Sequence, residues 1–226
     1  MTTTHHLEVR RTARIVTLGE PGAAVREVWL ACHGYGQLGV RFMRRFGALD
    51  DGTRYIVAPE ALNRFYLDPR PVPHGPGSAV GATWMTREDR LTEIGDYIRY
   101  LDDVHKWIFE RIDRDAVRLC VLGFSQGMST VVRWAERTAA HIDHLVLWAG
   151  SWPPEIEPRA GQFRGARLSL VAGTQDASVQ SDGLRRMVAS LREGGLEPEL
   201  VRYDGGHEID ADVLRRLRTD DRVDPV

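Results

Sequence analysis

Lysine is almost missing from this chain: Lys106 stands alone among 30 basic residues, and the rest are arginine. The bias reads first as codon usage and only second as a stability device, since a guanidinium pairs bidentately where an ammonium cannot. Cysteine is nearly as scarce. Cys32 and Cys120 each fall inside an apolar run, which reads as two reduced core thiols; a disulfide framework would need more cysteines in a shorter chain. No stretch approaches the roughly 18 consecutive apolar residues of a membrane span, and residues 1–18 lack the basic start and apolar middle of a signal peptide. The expected location is therefore the cytoplasm. An excess of positive charge is absent too, the formal net charge being -2, so nothing points to nucleic acid as a partner. His5 and His6, near a polar terminus, read as solvated side chains, and the sequence calls for no metal and no cofactor. There is neither an internal repeat nor a low-complexity tract.

What is present is ordinary for a soluble globular protein: 226 residues, 42% hydrophobic and 27% charged. That length can bury roughly 70% of the unfolded chain's surface, and no break in composition divides it, so residues 1–226 are expected to form a single domain. Residues 7–16 suit an edge strand or hairpin, closed by a turn at 19–22. Apolar strands are then expected near 25–32, 55–58, 117–122, 145–148, 168–172 and 199–201. Helical patterns fall at 40–49, from Arg90 to about Ile112, from the 126 region to about 139, at 183–192 and at 212–218. Between Pro59 and Arg87 runs a proline- and glycine-containing segment too long for a routine connection, which is either disordered or builds a site. Short buried strands alternating with helices describe a mostly parallel sheet covered on both faces.

In such a sheet the working groups gather beyond the carboxyl ends of the strands. Four loops qualify: His33-Gly34-Tyr35-Gly36, Gly123-Phe124-Ser125-Gln126-Gly127, Gly173-Thr174-Gln175-Asp176 and Gly205-Gly206-His207. The second lies between a strand and a helical pattern, where a sharp turn lifts a serine hydroxyl clear of the backbone and glycines two residues either side avoid collision. A serine hydroxyl needs a base to take its proton, and an imidazole needs a carboxylate to hold its tautomer. His207 and Asp176 are the candidates, and the chain order Ser125, Asp176, His207 is that of α/β-hydrolases. Asp182, Asp204, Asp210 and Asp212 are rival acids that better suit helix starts, caps and a turn. His33 is a rival base that better suits bracing its loop. Backbone N–H groups of Tyr35 and Gln126 are the expected oxyanion donors.

Taken together these segments resemble the phospholipase/carboxylesterase family of α/β-hydrolases, which includes acyl-protein thioesterases and bacterial carboxylesterases. Cys32-His33-Gly34-Tyr35-Gly36 matches its L-H-G-x-G loop, residues 123–127 its G-F-S-Q-G elbow, residues 173–176 its G-x-x-D segment and Gly206-His207 its G-H end. Ala149-Gly150-Ser151-Trp152-Pro153 and Ala82-Thr83-Trp84-Met85 are similar to two further stretches. The resemblance implies an α/β-hydrolase fold and a serine hydrolase that needs no cofactor; no apolar helical insertion of adequate length interrupts the chain between Leu147 and Arg164, so no separate lid domain is expected. Gln37 stands where family members often carry aspartate, Trp84-Met85-Thr86 replaces the W-[FY]-D of the thioesterases, and residues 58–66 depart from the usual loop, which together suggest a subgroup with its own pocket.

Phe65, Tyr66, Trp84, Met85 and Trp152 all lie outside periodic patterns and are the candidate lining of an apolar acyl pocket; packing of the long loop onto the sheet is the competing explanation for each. The expected activity is hydrolysis of small, short- to medium-chain acyl esters through an acyl-enzyme on Ser125. Thioester or lysophospholipid hydrolysis, and a non-catalytic binding protein on a hydrolase scaffold, are the alternatives. A homodimer is left open.

Overall fold

The apolar runs become strands for the expected reason: side chains alternate across the pleat, and here both faces are covered. A computed structural model describes residues 1–68, 73–179 and 181–218. Its main sheet has seven strands: β1 (Ile15–Leu18), β2 (Glu27–Cys32), β3 (Arg54–Pro59), β6 (Arg118–Phe124), β7 (His144–Trp148), β8 (Arg167–Gly173) and β9 (Glu199–Tyr203). Their spatial order is β1-β3-β2-β6-β7-β8-β9, with β1 antiparallel to β3 and every other pair parallel. The carboxyl ends of the parallel strands consequently share one edge, where the register aligns Cys32 with Gly123, Phe124 with Trp148 and Gly173 with Tyr203.

Alternation splits the interior into two layers. Val28, Leu30, Cys32, Leu119, Val121, Leu145 and Leu147 face one side, where α2 (Arg90–Phe109), α3 (Gln126–Arg137) and α4 (Ser181–Glu193) pack. Trp29, Ala31, Cys120, Leu122, Val146 and Trp148 face the other, beneath α1 (Gly39–Met43), the 3-10 turn at Arg44–Leu49 and α5 (Ala211–Leu217). Cys32 and Cys120 therefore sit on opposite faces of the sheet, both buried and free, and burial pushes both thiols up from their ordinary value. Among the described residues no helix is long and apolar enough to cross a membrane.

Three sequence expectations need correction. The edge strand starts at Ile15, not Leu7, because its partner β3 ends at Pro59; Ile15 pairs with Pro59, and Leu7 and Val9 are exposed. The 40–49 segment is a short α-helix followed by a 3-10 turn instead of one helix. The long 59–87 segment is not irregular throughout. It contains β4 (Asn63–Tyr66) and β5 (Val80–Thr83), a two-stranded antiparallel ribbon with Asn63 opposite Thr83 and Tyr66 opposite Val80. Residues 69–72 of that segment lie outside the described residues.

The ribbon is fastened to the loop after β2. Gly36 N–H donates to Ala82 O at 2.8 Å and Ala82 N–H to Gln37 O at 3.1 Å. The approach is so close that a Cβ on Gly81 would come within 2.4 Å of Gly36 O, so glycine is required at 81 for space. At the ribbon's base lies Glu60, buried, accepting from Arg14 Nη2 at 2.7 Å, Arg64 Nε at 2.6 Å and Gly39 N–H at 3.0 Å. Burial alone would raise this carboxyl, but those hydrogen bonds outweigh it and hold it below its ordinary value.

Candidate active site

Ser125 occupies the turn between β6 and α3 with φ 54° and ψ -116°, a conformation that costs energy for a residue with a side chain and exposes the hydroxyl. The turn is held by Ser125 N–H donating to Trp148 O at 2.8 Å. Space explains its two glycines. A Cβ on Gly123 would lie 2.3 Å from Gly127 O, and one on Gly127 would lie 2.2 Å from Cys32 O. Strand, helix and the loop after β2 thus meet with no room for a methyl group.

Ser125 Oγ lies 3.0 Å from His207 Nε2, and His207 Nδ1 lies 2.8 Å from Asp176 Oδ2. The two loops that carry the base and the acid are tied directly: Thr174 N–H donates to Tyr203 O and Gln175 N–H to Gly205 O, both at 2.9 Å. Behind His207, the Tyr203 hydroxyl sits 2.8 Å from Gly206 O and 2.6 Å from Glu208 O, pinning the loop on either side of the imidazole. The Phe124 ring packs on the imidazole at 4.8 Å between centroids. Asp176 is buried, which alone would raise its carboxyl. Hydrogen bonds from Ser178 and His207 prevail, so it lies below its ordinary value and stays an anion.

The rival residues are placed elsewhere. Asp204 accepts from Gln175 Nε2 at 2.7 Å, Asp210 caps α5 by accepting from Val213 N–H at 2.8 Å, and Asp182 and Asp212 pair with arginines one turn along their own helices. His33 is wholly buried and committed at both ring nitrogens, to Gly34 O at 2.8 Å and to Ala61 N–H at 3.0 Å. Burial lowers its pKa, and the ring braces the loop in its neutral form. His144 begins β7, buried with Nε2 2.9 Å from Ser169 Oγ, and desolvation lowers it to about 4.

The two expected oxyanion donors belong to segments that adjoin Ser125. Gln126 is the first residue of α3, where an N–H has no partner within the helix. Tyr35 belongs to the loop after β2, which abuts the serine: a Cβ on Gly34 would lie 3.1 Å from Ser125 Cβ. Gly34 N–H is held by Gln37 Oε1 at 2.8 Å and Gly36 N–H by Ala82 O, so the peptides flanking Tyr35 are fixed. The Gln126 side chain has a separate task. Its Oε1 accepts from Trp84 N–H at 3.1 Å and its Nε2 donates to Met85 O at 2.9 Å, locking the end of the ribbon over α3.

The five candidate pocket residues are not gathered in one place. Trp84 is only 2% exposed, belongs to the main core and donates its indole N–H to His33 O at 2.8 Å. Met85 packs partly against the same core. Phe65 stacks near Tyr35 at 5.1 Å, and Tyr66 lies flat on His74 at 3.8 Å; as adjacent residues of β4 they point to opposite faces of the ribbon. Trp152 alone of the five lines the cavity of about 410 Å³ beside the serine, along with Pro158, Val179, Leu184, Met187 and Leu191. Among the described residues no charged side chain lines it, and the polar members are Ser151, Ser178 and Ser190. Gly150, also in its wall, lies against the serine: a Cβ there would be 2.4 Å from Ser125 O. Sequence reading passed over Val179 and the α4 residues, although an apolar helical stripe directly after the acid loop was the available signal.

The Trp152 segment is anchored through Glu155, which accepts from Arg133 Nε at 2.5 Å and from Arg90 Nη2 at 2.9 Å. Burial alone would raise this carboxyl, but its hydrogen bonds and the charge of the arginines together outweigh it and bring it down from 4.5 to about 2. A depressed carboxyl gives stability that is complete above its unfolded value and lost as pH falls through its folded value. Glu155→Gln should therefore lower Tm relative to wild type at pH 6, with the gap closing between about 4.5 and about 2 in thermal melts. A gap independent of pH would contradict the pairing.

No protein-family model and no curated protein sequence matches the chain. Solved structures do. Acyl-protein thioesterase 2 of Zea mays superposes with a TM-score of 0.65 at 17% identity, over 91% of this chain and 96% of that one. Esterase PE8 gives 0.63 at 19% identity over 91% and 99%, and a carboxylesterase of Mesorhizobium loti gives 0.62 at 17% over 90% and 92%. The fold is that of the α/β-hydrolases. Ser125 follows β6, a central strand of the sheet, and the 149–161 connection carries no helix among the described residues.

Proposed function

We propose that the chain is a serine hydrolase of carboxylic esters, a single catalytic domain of the phospholipase/carboxylesterase type. The observation that carries this reading is the continuous hydrogen-bonded path from Ser125 Oγ through His207 to the buried Asp176 carboxylate. His207 takes the hydroxyl proton on Nε2 as Ser125 attacks the ester carbonyl, and Asp176 stabilises the imidazolium. The carbonyl oxygen, now an oxyanion, is received by the N–H groups of Tyr35 and Gln126. Nε2 then returns the proton to the departing alcohol, leaving an acyl-enzyme that water clears by the same steps in reverse. The two free buried thiols agree with a cytoplasmic setting.

The uncharged cavity beside Ser125 is the proposed acyl site. At about 410 Å³ it suits a short to medium chain, and its apolar wall of Trp152, Val179, Leu184 and Met187 offers no counter-ion to a charged acyl group. A series of nitrophenyl esters from acetate to laurate should show kcat/KM peaking at short to medium length. No hydrolysis at any length, or a peak only on long chains with strong interfacial activation, would overturn the proposal. Thioesters enter the same site chemically, and parallel assays of acyl-CoA and nitrophenyl esters of equal chain length separate the two preferences.

A further inference from the structure

Ser178 is two residues beyond Asp176, in a loop where a serine ordinarily passes without notice. Its backbone N–H donates to Asp176 Oδ1 at 2.8 Å and its hydroxyl lies 2.5 Å from the same oxygen. The hydroxyl oxygen is also 2.8 Å from His207 Nδ1. These distances fix the direction of each bond. The hydroxyl has one proton, and the short contact to a carboxylate oxygen receives it; its lone pairs then face His207 Nδ1, which must be the donor. The Nδ1–H is thereby shared between Asp176 Oδ2 and Ser178 Oγ, both at 2.8 Å.

From this geometry we infer that Ser178 is a positioning residue for the acid–base pair, a fourth member of the relay from Ser125. The inference rests on Ser125 and His207 acting as nucleophile and base. Ser178 acts in two ways. By occupying Asp176 Oδ1 twice it stops the carboxylate rotating, which leaves Oδ2 aimed at the imidazole. By accepting from Nδ1 it gives the productive tautomer a second acceptor, so the proton stays on Nδ1 and the Nε2 lone pair stays turned to Ser125. Ser178 also lines the cavity next to the serine, so an acyl group seated there excludes water from the cluster while the proton moves.

The test compares Ser178→Ala, Ser178→Val and Ser178→Thr. Valine and threonine have the same shape and differ in the hydroxyl, so a purely structural role would not separate them. With nitrophenyl acetate, the alanine and valine variants should lose about tenfold to a hundredfold in kcat, with KM within about threefold of wild type. Threonine should stay within about threefold on both. The rate constant for inactivation by a fluorophosphonate should follow kcat. Proton NMR supplies an arm that needs no activity: the downfield Nδ1–H resonance of His207 should be kept in the threonine variant and shifted or lost through exchange in the valine one. Valine matching threonine in rate and in this resonance would overturn the inference. If wild type neither hydrolyses esters nor reacts with the fluorophosphonate, the proposed function fails, and the resonance still decides whether Ser178 shares the proton.

Discussion

Replacing Ser125 with alanine should reduce kcat for nitrophenyl acetate by roughly four to six orders of magnitude while leaving the fold and KM nearly unchanged. The size follows from the division of labour in the site. Alanine removes the hydroxyl proposed to attack, the one that lies 3.0 Å from His207 Nε2. The oxyanion donors and the cavity remain, so binding persists and a small residual rate over water is expected. The fold should tolerate the change because, among the described residues, Ser125 Oγ bonds only His207, and the turn is held by the backbone, through Ser125 N–H to Trp148 O. Stopped or steady-state assays on variant and wild type, with thermal melts to compare stability, provide the check. A variant retaining more than about a tenth of wild-type kcat would mean that the chemistry lies elsewhere.

The second large effect is structural and lies one turn away. Gly127→Ala should destabilise the protein by about 3 kcal/mol or more, lowering Tm by roughly 6–12 °C. Its added methyl carbon would sit 2.2 Å from Cys32 O and 2.8 Å from His33 O, both backbone atoms of a buried strand end that cannot swing aside. Relief requires α3 to move off the sheet. That displacement carries Gln126 N–H away from Tyr35 N–H, so surviving protein should also lose kcat. An equal change at Gly183 in α4, where a Cβ meets nothing within 4 Å, is the control that should leave Tm unchanged or raise it by a few degrees at most. If the two variants melt alike, close packing around the elbow is not what the glycine secures.

Much of this was legible before any coordinates because short-range signals and long-range consequences coincide at strand ends. The runs at β2, β6, β7 and β8 are apolar on both faces, and a parallel sheet then puts the loops after them on one edge without further information. Ser125, Asp176 and His207 follow from loop position and chain order. Other features depend on partners that no local pattern names. The β4–β5 ribbon joins residues 14 to 20 apart, from Tyr66 with Val80 to Asn63 with Thr83, across a proline- and glycine-containing loop, and only its pairing makes it a strand pair. Residues 7–14 carry a strand's alternation but have no strand to meet, since β3 ends at Pro59. Trp84 looked like a loop residue available to substrate and is instead a core side chain, because its indole N–H finds His33 O in the interior. Ser178 could not be distinguished from any loop serine, as its importance consists of two distances to groups on separate loops.

The account as a whole stands on one atom being activated. Incubating the protein with a fluorophosphonate probe and locating the adduct by peptide mass spectrometry tests that directly. A single adduct on Ser125 is predicted, formed rapidly in wild type and abolished in His207→Ala, where the proposed base is gone. No adduct, an adduct on another serine, or labelling of Ser125 that survives loss of His207 would contradict it.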